Sequence, residues 1–457
     1  MKTHHYILLS TFLFLILFYE EKVGLNLGIL GIIYSVLTFF KTNKSHRNSS
    51  FLVLFVLSIC SSFAFAWYGD YASFLALVSC LLMLSYRSRE KRMNIILLIP
   101  VFITNFATSL CRIFSFEKWI PRNQNSGSLK KMFAFFVFPL LLVLLFFGVY
   151  SAGSTHFAEL FTNYELDINI WEAFCISVVG FFIAFNYFNF KVERQIYKQN
   201  YLFENDFKVD DYKEKSTFTF LDVHTERTSG VITITSLCVL LLFFIITFTI
   251  EQFYELPKSP NQLSDETHQR VTAVIVSIVM SIFVLLFYFK SYFNFDPKAQ
   301  FLKLISKIWI VLNAILMIIT FLKNIEYILN YGFTYKRLGV IAFIMVGMLG
   351  LIFTFIKIQN KKTNVYLFNA MVWCVFGTIL VCSYVNWGCV ITSQNSKRKD
   401  FAKNFHLQSI HFNQKELLEY AEKSKDEVFY QEVKQKIKEE KSVSFLSKIL
   451  YFETIQK

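Results

Sequence analysis

Charge is the first thing in short supply. Asp, Glu, Lys and Arg make up 17% of the 457 residues, where soluble domains carry about 25%. Ionisable groups are almost missing from the apolar runs: Glu172 stands within the first turn or so of its run, and Lys303, Lys307 and Lys357 lie near ends where they can snorkel. A proton-coupled carrier normally places acids or His near the midplane, and that pattern is absent. Of six prolines only Pro100 and Pro139 fall within apolar stretches, so the paired helix interruptions of many secondary transporters are missing too. There is no Walker loop, nucleophile elbow or His-Glu-x-x-His pair. The eight cysteines (60, 80, 111, 175, 238, 374, 382 and 389) form no Cys-x-x-Cys pair and sit within or at the ends of apolar segments. That placement reads as small packing residues rather than disulfides or a zinc site.

What the chain has in quantity is apolar: 54% hydrophobic residues, with 55 Phe. Crossing about 30 Å of hydrocarbon takes roughly 20 mainly apolar residues, and lipid forces such a segment to be helical. Eleven runs meet or approach that length: Tyr6–Tyr19, Val23–Phe40, Phe51–Trp67, Tyr71–Tyr86, Met132–Tyr150, Ile168–Tyr187, Val231–Ile250, Val271–Phe289, Phe301–Leu322, Leu338–Ile358 and Val365–Val385. The fold class is all-α, a polytopic transmembrane helix bundle of about eleven spans plus interfacial helices. The first run follows Lys2 as a signal peptide would, but Glu20, Glu21 and Lys22 come after it without a small-x-small cleavage site, so it reads as a retained helix. The formal net charge of +13 fits basic loops against an anionic membrane face better than it fits nucleic acid.

A twelfth stretch, Asn94–Cys111, is long enough to span but carries Pro100, Thr104, Asn105, Thr108 and Ser109. If it crossed, the basic loops after it would lie outside and a loop with no Lys or Arg would lie inside, against the positive-inside rule. If it dips in and returns, or lies along the surface, the inside loops hold 27 Lys/Arg and the outside loops 6, with 13 in the tail after Val385. The expected topology therefore has the N-terminus cytoplasmic and the C-terminus extracytoplasmic. The expected organisation is a membrane half over 1–225 with a cytoplasmic loop near 188–229, a second membrane half over 226–392, and a polar helical tail over 393–457. Thr155–Asp167 reads as an interfacial amphipathic helix. In the tail, Asn413 and Glu416 have capping-box spacing before the stripe Leu417, Leu418 and Ala421.

Three motifs have a functional alternative. Asp222-Val-His224-Thr-Glu226 would share one face if extended and could then hold a metal; a polar loop is the plainer reading. Asn313 is the clearest mid-span polar residue and is expected to hydrogen-bond to a neighbouring helix. Between two spans stands NYGFTYKRLG (Asn330–Gly339), a turn with interfacial tyrosines. His268, Gln269 and Arg270 open a nearby span. Together His268, Gln269, Tyr331, Lys336 and Arg337 form a candidate outer-face polar site for a phosphate or carboxylate. No catalytic, metal or cofactor residue is assigned.

Five strings, TERTSGVI (Thr225–Ile232), LSDETHQ (Leu263–Gln269), WIVLNAIL (Trp309–Leu316), NYGFTYKRLG and VNWGCVI (Val385–Ile391), resemble the bacterial multi-pass membrane proteins of domain of unknown function 4173, with a related set under 4153. In the last string Gly388 and Cys389 stand where that pattern has a charged residue. The resemblance implies a bacterial cytoplasmic-membrane protein and no activity. The chain reads first as a membrane binding, sensing or scaffold protein whose partners are the lipid bilayer and proteins meeting its tail, with no nucleic acid and no cofactor. A permease for an uncharged or lipid-like solute, and an enzyme on lipid or envelope precursors, are the alternatives.

Overall fold

The structure, a computed structural model, describes residues 2–90, 94–115, 119, 138–154, 157, 169–200, 202–214, 216, 220–253 and 260–455. Its helices are α1 (Thr3–Phe18), α2 (Leu25–Lys41), α3 (Ser49–Tyr68), α4 (Tyr71–Arg89), α5 (Leu98–Ala107), α6 (Ser109–Phe114), α7 (Phe138–Gly153), α8 (Ile170–Phe188), α9 (Arg194–Asn200), α10 (Val223–Phe253), α11 (Pro260–Tyr288), α12 (Gln300–Tyr331), α13 (Tyr335–Gln359) and α14 (Asn364–Tyr384). The tail adds α15 (Trp387–Asn395), α16 (Lys403–Ser409), α17 (Gln414–Ser424), α18 (Glu427–Lys441) and α19 (Leu450–Glu453). Eight of these helices are long and apolar enough to cross a membrane, and α1 and α2 are shorter apolar helices. The protein is an all-α, polytopic membrane protein. The stretch expected as an amphipathic helix at 155–167 lies outside the described residues, Phe157 apart.

The chain divides into two compact units. One comprises residues 1–93, 98–196 and 437–457; the other comprises 94–97 and 197–436. The polar tail thus contributes to both.

In the first unit, α2 meets α3, α3 meets α4, and α1 lies along α8. Small residues decide the closest approach. A Cβ on Gly28 would fall 2.8 Å from Ser62 O, and one on Gly31 would fall 2.5 Å from Ser62 Oγ. One turn further on, Ser35 and Ser58 join hydroxyls at 2.8 Å. With no hydrophobic drive between helices in lipid, close backbone packing and such hydrogen bonds hold the pair. The core gathers Tyr6, Ile7, Phe14, Tyr34, Phe185 and Phe188.

The two ends of this unit differ in chemistry. At one end Lys41 and Arg89 both donate to the carbonyl of Phe188, and Arg112 donates to Asn189 O at 2.7 Å. Cations at the carbonyl end of α8 satisfy its unpaired acceptors and oppose its dipole. At the other end the last tail segment packs on two turns. Leu25 N donates to Lys448 O at 2.9 Å, the Ser447 hydroxyl donates to Glu21 at 2.5 Å, and the Ile449 side chain rests where Gly69 has no Cβ.

The segment from Ile95 folds as a turn of 3-10 helix, then α5, then α6. Ten residues of α5 reach about 15 Å. Ile99, Ile103, Phe106, Leu110 and Phe114 form one exposed apolar stripe. On the opposite face the Asn105 amide donates to Lys191 O at 2.6 Å and accepts from Lys191 N at 2.9 Å. Arg89, ahead of this segment, and Arg112, within α6, both reach the same end of α8.

In the second unit, α12 is central: α10, α11 and α13 pack on it, and α14 packs on α13. The core runs through Ile234, Ile278, Leu285, Phe289, Leu302, Leu316 and Leu351. Lys357 is buried with its ammonium on Phe289 O at 2.6 Å, at the carbonyl end of α11. Asn205 is held from two sides: Asn369, which also donates to Asn94 at 3.2 Å, donates to its side chain at 2.9 Å, and Thr363 N donates to Asn205 O at 3.1 Å.

Two expectations need correction. Asn313 is fully buried, but its amide donates back to Trp309 O of its own helix at 2.8 Å rather than to a neighbour. The Asp222–Glu226 stretch enters α10 instead of running extended, so its alternate residues do not share a face. Asp222 instead accepts from Thr225 N at 3.4 Å at the helix start.

Candidate functional site

The most elaborate polar constellation in the second unit grows from the turn between α12 and α13. Helix α12 ends at Tyr331 because Gly332 takes φ +78°, the left-handed region that glycine enters without cost. Thr334 then starts α13, its hydroxyl accepting from Arg337 N at 3.4 Å.

The last carbonyls of α12 have no partner in their own helix. Two arginines supply the donors. Arg337 reaches back to Tyr331 O at 2.9 Å and also to Gly332 O, with its guanidinium 4.0 Å from the Tyr327 ring centroid. Arg398, from the tail, donates to Leu329 O at 2.6 Å and Asn330 O at 2.5 Å. Asp400 holds the Arg398 fork through contacts of 3.0 and 3.1 Å. Four consecutive carbonyls thus take charged donors, the favourable sign at a helix C-terminus.

The tail is fixed to this turn at two further points. Asn395 accepts from Phe333 N at 2.8 Å and donates to Phe333 O at 2.9 Å, filling the space beside Gly332. The Tyr335 hydroxyl accepts from His411 N at 3.2 Å and donates to His411 O at 3.3 Å. Asn386 caps α15 by accepting from Cys389 N at 2.9 Å, while its amide donates to Phe412 O at 2.9 Å. A Cβ on Gly388 would stand 1.7 Å from His411 O. That contact gives a physical reason for glycine where the resemblance had a charged residue.

His406 lies at the centre, buried and beside Asn395. Its Nε2 is 3.2 Å from the Asn395 amide nitrogen and its Nδ1 is 3.0 Å from Thr392 Oγ1. The amide nitrogen only donates, so Nε2 accepts and the proton of the neutral ring sits on Nδ1. Burial pushes the pKa of His406 down to about 4, and a proton on Nε2 would face a donor. Asn413 completes the set, donating to Thr392 Oγ1 at 2.8 Å and to His406 O at 3.0 Å.

The capping box expected at Asn413 and Glu416 does not form. Helix α17 does begin there, but Asn413 makes no cap bond. Its amide is drawn to Thr392, and the Cys389 thiol donates to Glu416 Oε1 at 2.8 Å. Burial and Glu416 push that thiol upward from its ordinary pKa. The stripe behaves as expected, with Leu417 and Ala421 buried.

Of the candidate outer-face residues, Tyr331, Lys336 and Arg337 share one turn. Lys336 is exposed and Arg337 half-buried, and among the described residues no carboxylate lies within ion-pair distance of either. Glu326 pairs instead with Lys323 at 3.2 Å. His268 and Gln269 fall in the opening turns of α11, whose side chains over 260–270 lie outside the described residues. Asn386, Thr392, Asn395, Arg398, His406 and Asn413 were not singled out as site residues. Asn386 and Gly388 carried a turn signal, whereas the others are polar tail residues whose meeting depends on the fold. Among the described residues no group of three His, Cys, Asp or Glu could hold a metal.

The second unit also contains an apolar cavity of about 960 Å³ between α10, α11 and α12.

The model of the family described as Domain of unknown function (DUF4153) matches residues 28–419. The chain belongs to this family. The match runs from α2 into α17, so it takes in the whole Asn395–His406 constellation. No curated protein and no solved structure matches the chain.

Proposed function

We propose that this member of the 4153 family is a membrane binding or scaffold protein that presents a rigid polar platform, made of its tail and the α12–α13 turn, to protein partners. The observation that carries this reading is the pairing of Asn395 with both backbone groups of Phe333. A tail held to backbone atoms and helix-end carbonyls offers partners a fixed surface, which lowers the ordering cost of binding. The lipid bilayer is its permanent environment.

The same reading places the protein in a bacterial cytoplasmic membrane, N-terminus inside and tail outside. Charge asymmetry supports the orientation. So does chemistry within the first unit, where Lys41, Arg89 and Arg112 cluster at one end and the last tail segment packs at the other. The kinship with the 4173 set rests on the five sequence strings. The outer-face site keeps its chemistry as part of the proposal: Lys336 and the free edge of the Arg337 guanidinium suit a carboxylate or phosphate on the partner, with His268, Gln269 and Tyr331 at the rim. The second reading, a permease for a lipid-like solute, has the apolar cavity in its favour.

Photocrosslinking from Lys336 and Lys415, each replaced by a photoreactive residue in native membranes, tests the platform. A discrete adduct that disappears in the Asn395→Leu background supports it. Crosslinks to lipid alone, or adducts indifferent to Asn395, count against it.

A further inference from the structure

Three helices of the first unit end together. Lys41 closes α2, Arg89 closes α4 and Phe188 closes α8, and both cations donate to the Phe188 carbonyl. Arg89 also reaches Phe190 O. Arg112 of α6 donates to Asn189 O and to Asn105 O, each at 2.7 Å. Arg47, just beyond α2, donates to Phe39 O at 2.9 Å and to Thr42 O at 3.1 Å.

Neutral carbonyls satisfy these donors without cancelling their charge. The segments that meet here, residues 41–48, 86–90, 105–115 and 188–194, carry eight Lys or Arg against two carboxylates, Glu90 and Glu193. The three helix C-termini add about half a negative charge each, so the face stays strongly positive. Glu193 acts on Arg112 from a distance. Among the described residues no carboxylate lies within ion-pair distance of Lys41, Arg47 or Arg112, and all three side chains are half-buried. Two cations on one oxygen repel each other, and an anion beside them relieves that repulsion.

The surroundings narrow the class of anion. The cluster stands at the ends of apolar helices, and α5 and α6 run beside it with Ile99, Ile103, Phe106, Leu110 and Phe114 exposed as one stripe. Arg112 lies between Leu110 and Phe114 in sequence but turns away from the stripe, onto Asn105 O and Asn189 O. An apolar stripe beside a basic cluster suits a molecule that has both an anionic head and acyl chains. A free phosphate would use the cations alone.

We infer that this face binds an anionic phospholipid, its phosphodiester seated on Lys41, Arg89 and Arg112 and its acyl chains along the α5–α6 stripe. The guanidinium groups offer planar donor pairs to phosphate oxygens. The inference goes beyond the platform reading and does not depend on it.

The test is photolabelling of the full-length protein in phosphatidylcholine nanodiscs that contain a phosphatidylglycerol with a diazirine near the top of one acyl chain. Expected is a saturable adduct mapped to residues 98–115, displaced by unlabelled phosphatidylglycerol and not by inorganic phosphate. Arg112→Gln should lower the yield at subsaturating label about fivefold, the share of one cation at a membrane surface. Arg112→Lys, which keeps the charge, should restore most of it, and Lys425→Gln, on the tail, should leave it unchanged. An equal loss in Lys425→Gln would mean that bulk charge governs labelling, and would overturn the site. So would the absence of a saturable adduct over 98–115 in the wild type. Equal labelling by a phosphatidylcholine bearing the same diazirine overturns recognition of the anionic head, and displacement by inorganic phosphate overturns lipid as the occupant. These last three readings use the wild type alone and need no variant to fold.

Discussion

Asn395 lies against Phe333 as a complementary strand would, its carboxamide oxygen on the backbone N–H at 2.8 Å and its nitrogen on the backbone C=O at 2.9 Å. One side chain thereby joins the tail to the turn between two membrane helices, and the same nitrogen reaches His406 Nε2 at 3.2 Å. Replacing Asn395 by Leu keeps the approximate size and removes all three bonds. Leaving the Phe333 groups unpaired costs about 2 kcal/mol. Proteolysis in intact membranes should then cleave the tail between α15 and α17, which the wild type should resist.

The neutral His406 makes the tail sensitive to acid. Its folded pKa of about 4 lies below the unfolded value of about 6.5. The stabilising contribution is therefore fully present above about pH 6.5 and declines as pH falls toward 4, because the unfolded state takes up the proton first. The loss over that window is on the order of 3 kcal/mol. Tail unfolding followed from pH 7.5 to 4.5 should show this slope, and His406→Gln, which cannot titrate, should flatten it.

Asn395→Asp should change the His406 titration itself. A carboxylate oxygen replaces the amide donor beside Nε2, and a nearby negative charge favours the imidazolium. Nitrogen NMR of a histidine-labelled sample should find His406 titrating well above its wild-type midpoint. An unchanged midpoint would mean that the Asn395 contact is not what orients the ring.

Gly388→Ala tests packing rather than charge. The new Cβ would stand 1.7 Å from His411 O, so the backbone must move. Overpacking of this kind costs about 1–3 kcal/mol. The expected result is a tail that exchanges amide hydrogens faster, with the membrane helices unaltered by circular dichroism.

Topology is checked by cysteine accessibility in intact cells. Lys208→Cys and Lys361→Cys should be protected from an impermeant reagent, and Lys425→Cys labelled. Labelling of Lys208 and Lys425 from the same side would overturn the eleven-span orientation.

The positions of the membrane helices were legible because a 20-residue apolar run has one stable answer in lipid. Their ends were less so. Helix α10 begins at Val223, ahead of the apolar run at Val231, and α12 continues through polar residues to Tyr331. Polar turns outside the hydrocarbon still make helical hydrogen bonds, and hydropathy does not register them. The turn at Gly332 was readable because glycine there marks a positive φ. Asn395, His406 and Asn413 were not, since nothing local distinguishes an Asn that pairs with a distant backbone from one in solvent. Asn313 shows the same limit: its buried amide found a partner one turn back in its own helix, an option that residue type alone does not separate from a neighbouring helix.

Hydrogen exchange on the full-length protein in nanodiscs tests the docked tail most directly. A tail fixed on the α12–α13 turn requires the amides of Phe333 and of α15, α16 and α17 to exchange slowly and together, and to be released together in Asn395→Leu. Exchange of α16 and α17 at the rate of an unstructured chain in the wild type, with the membrane helices protected, would contradict it.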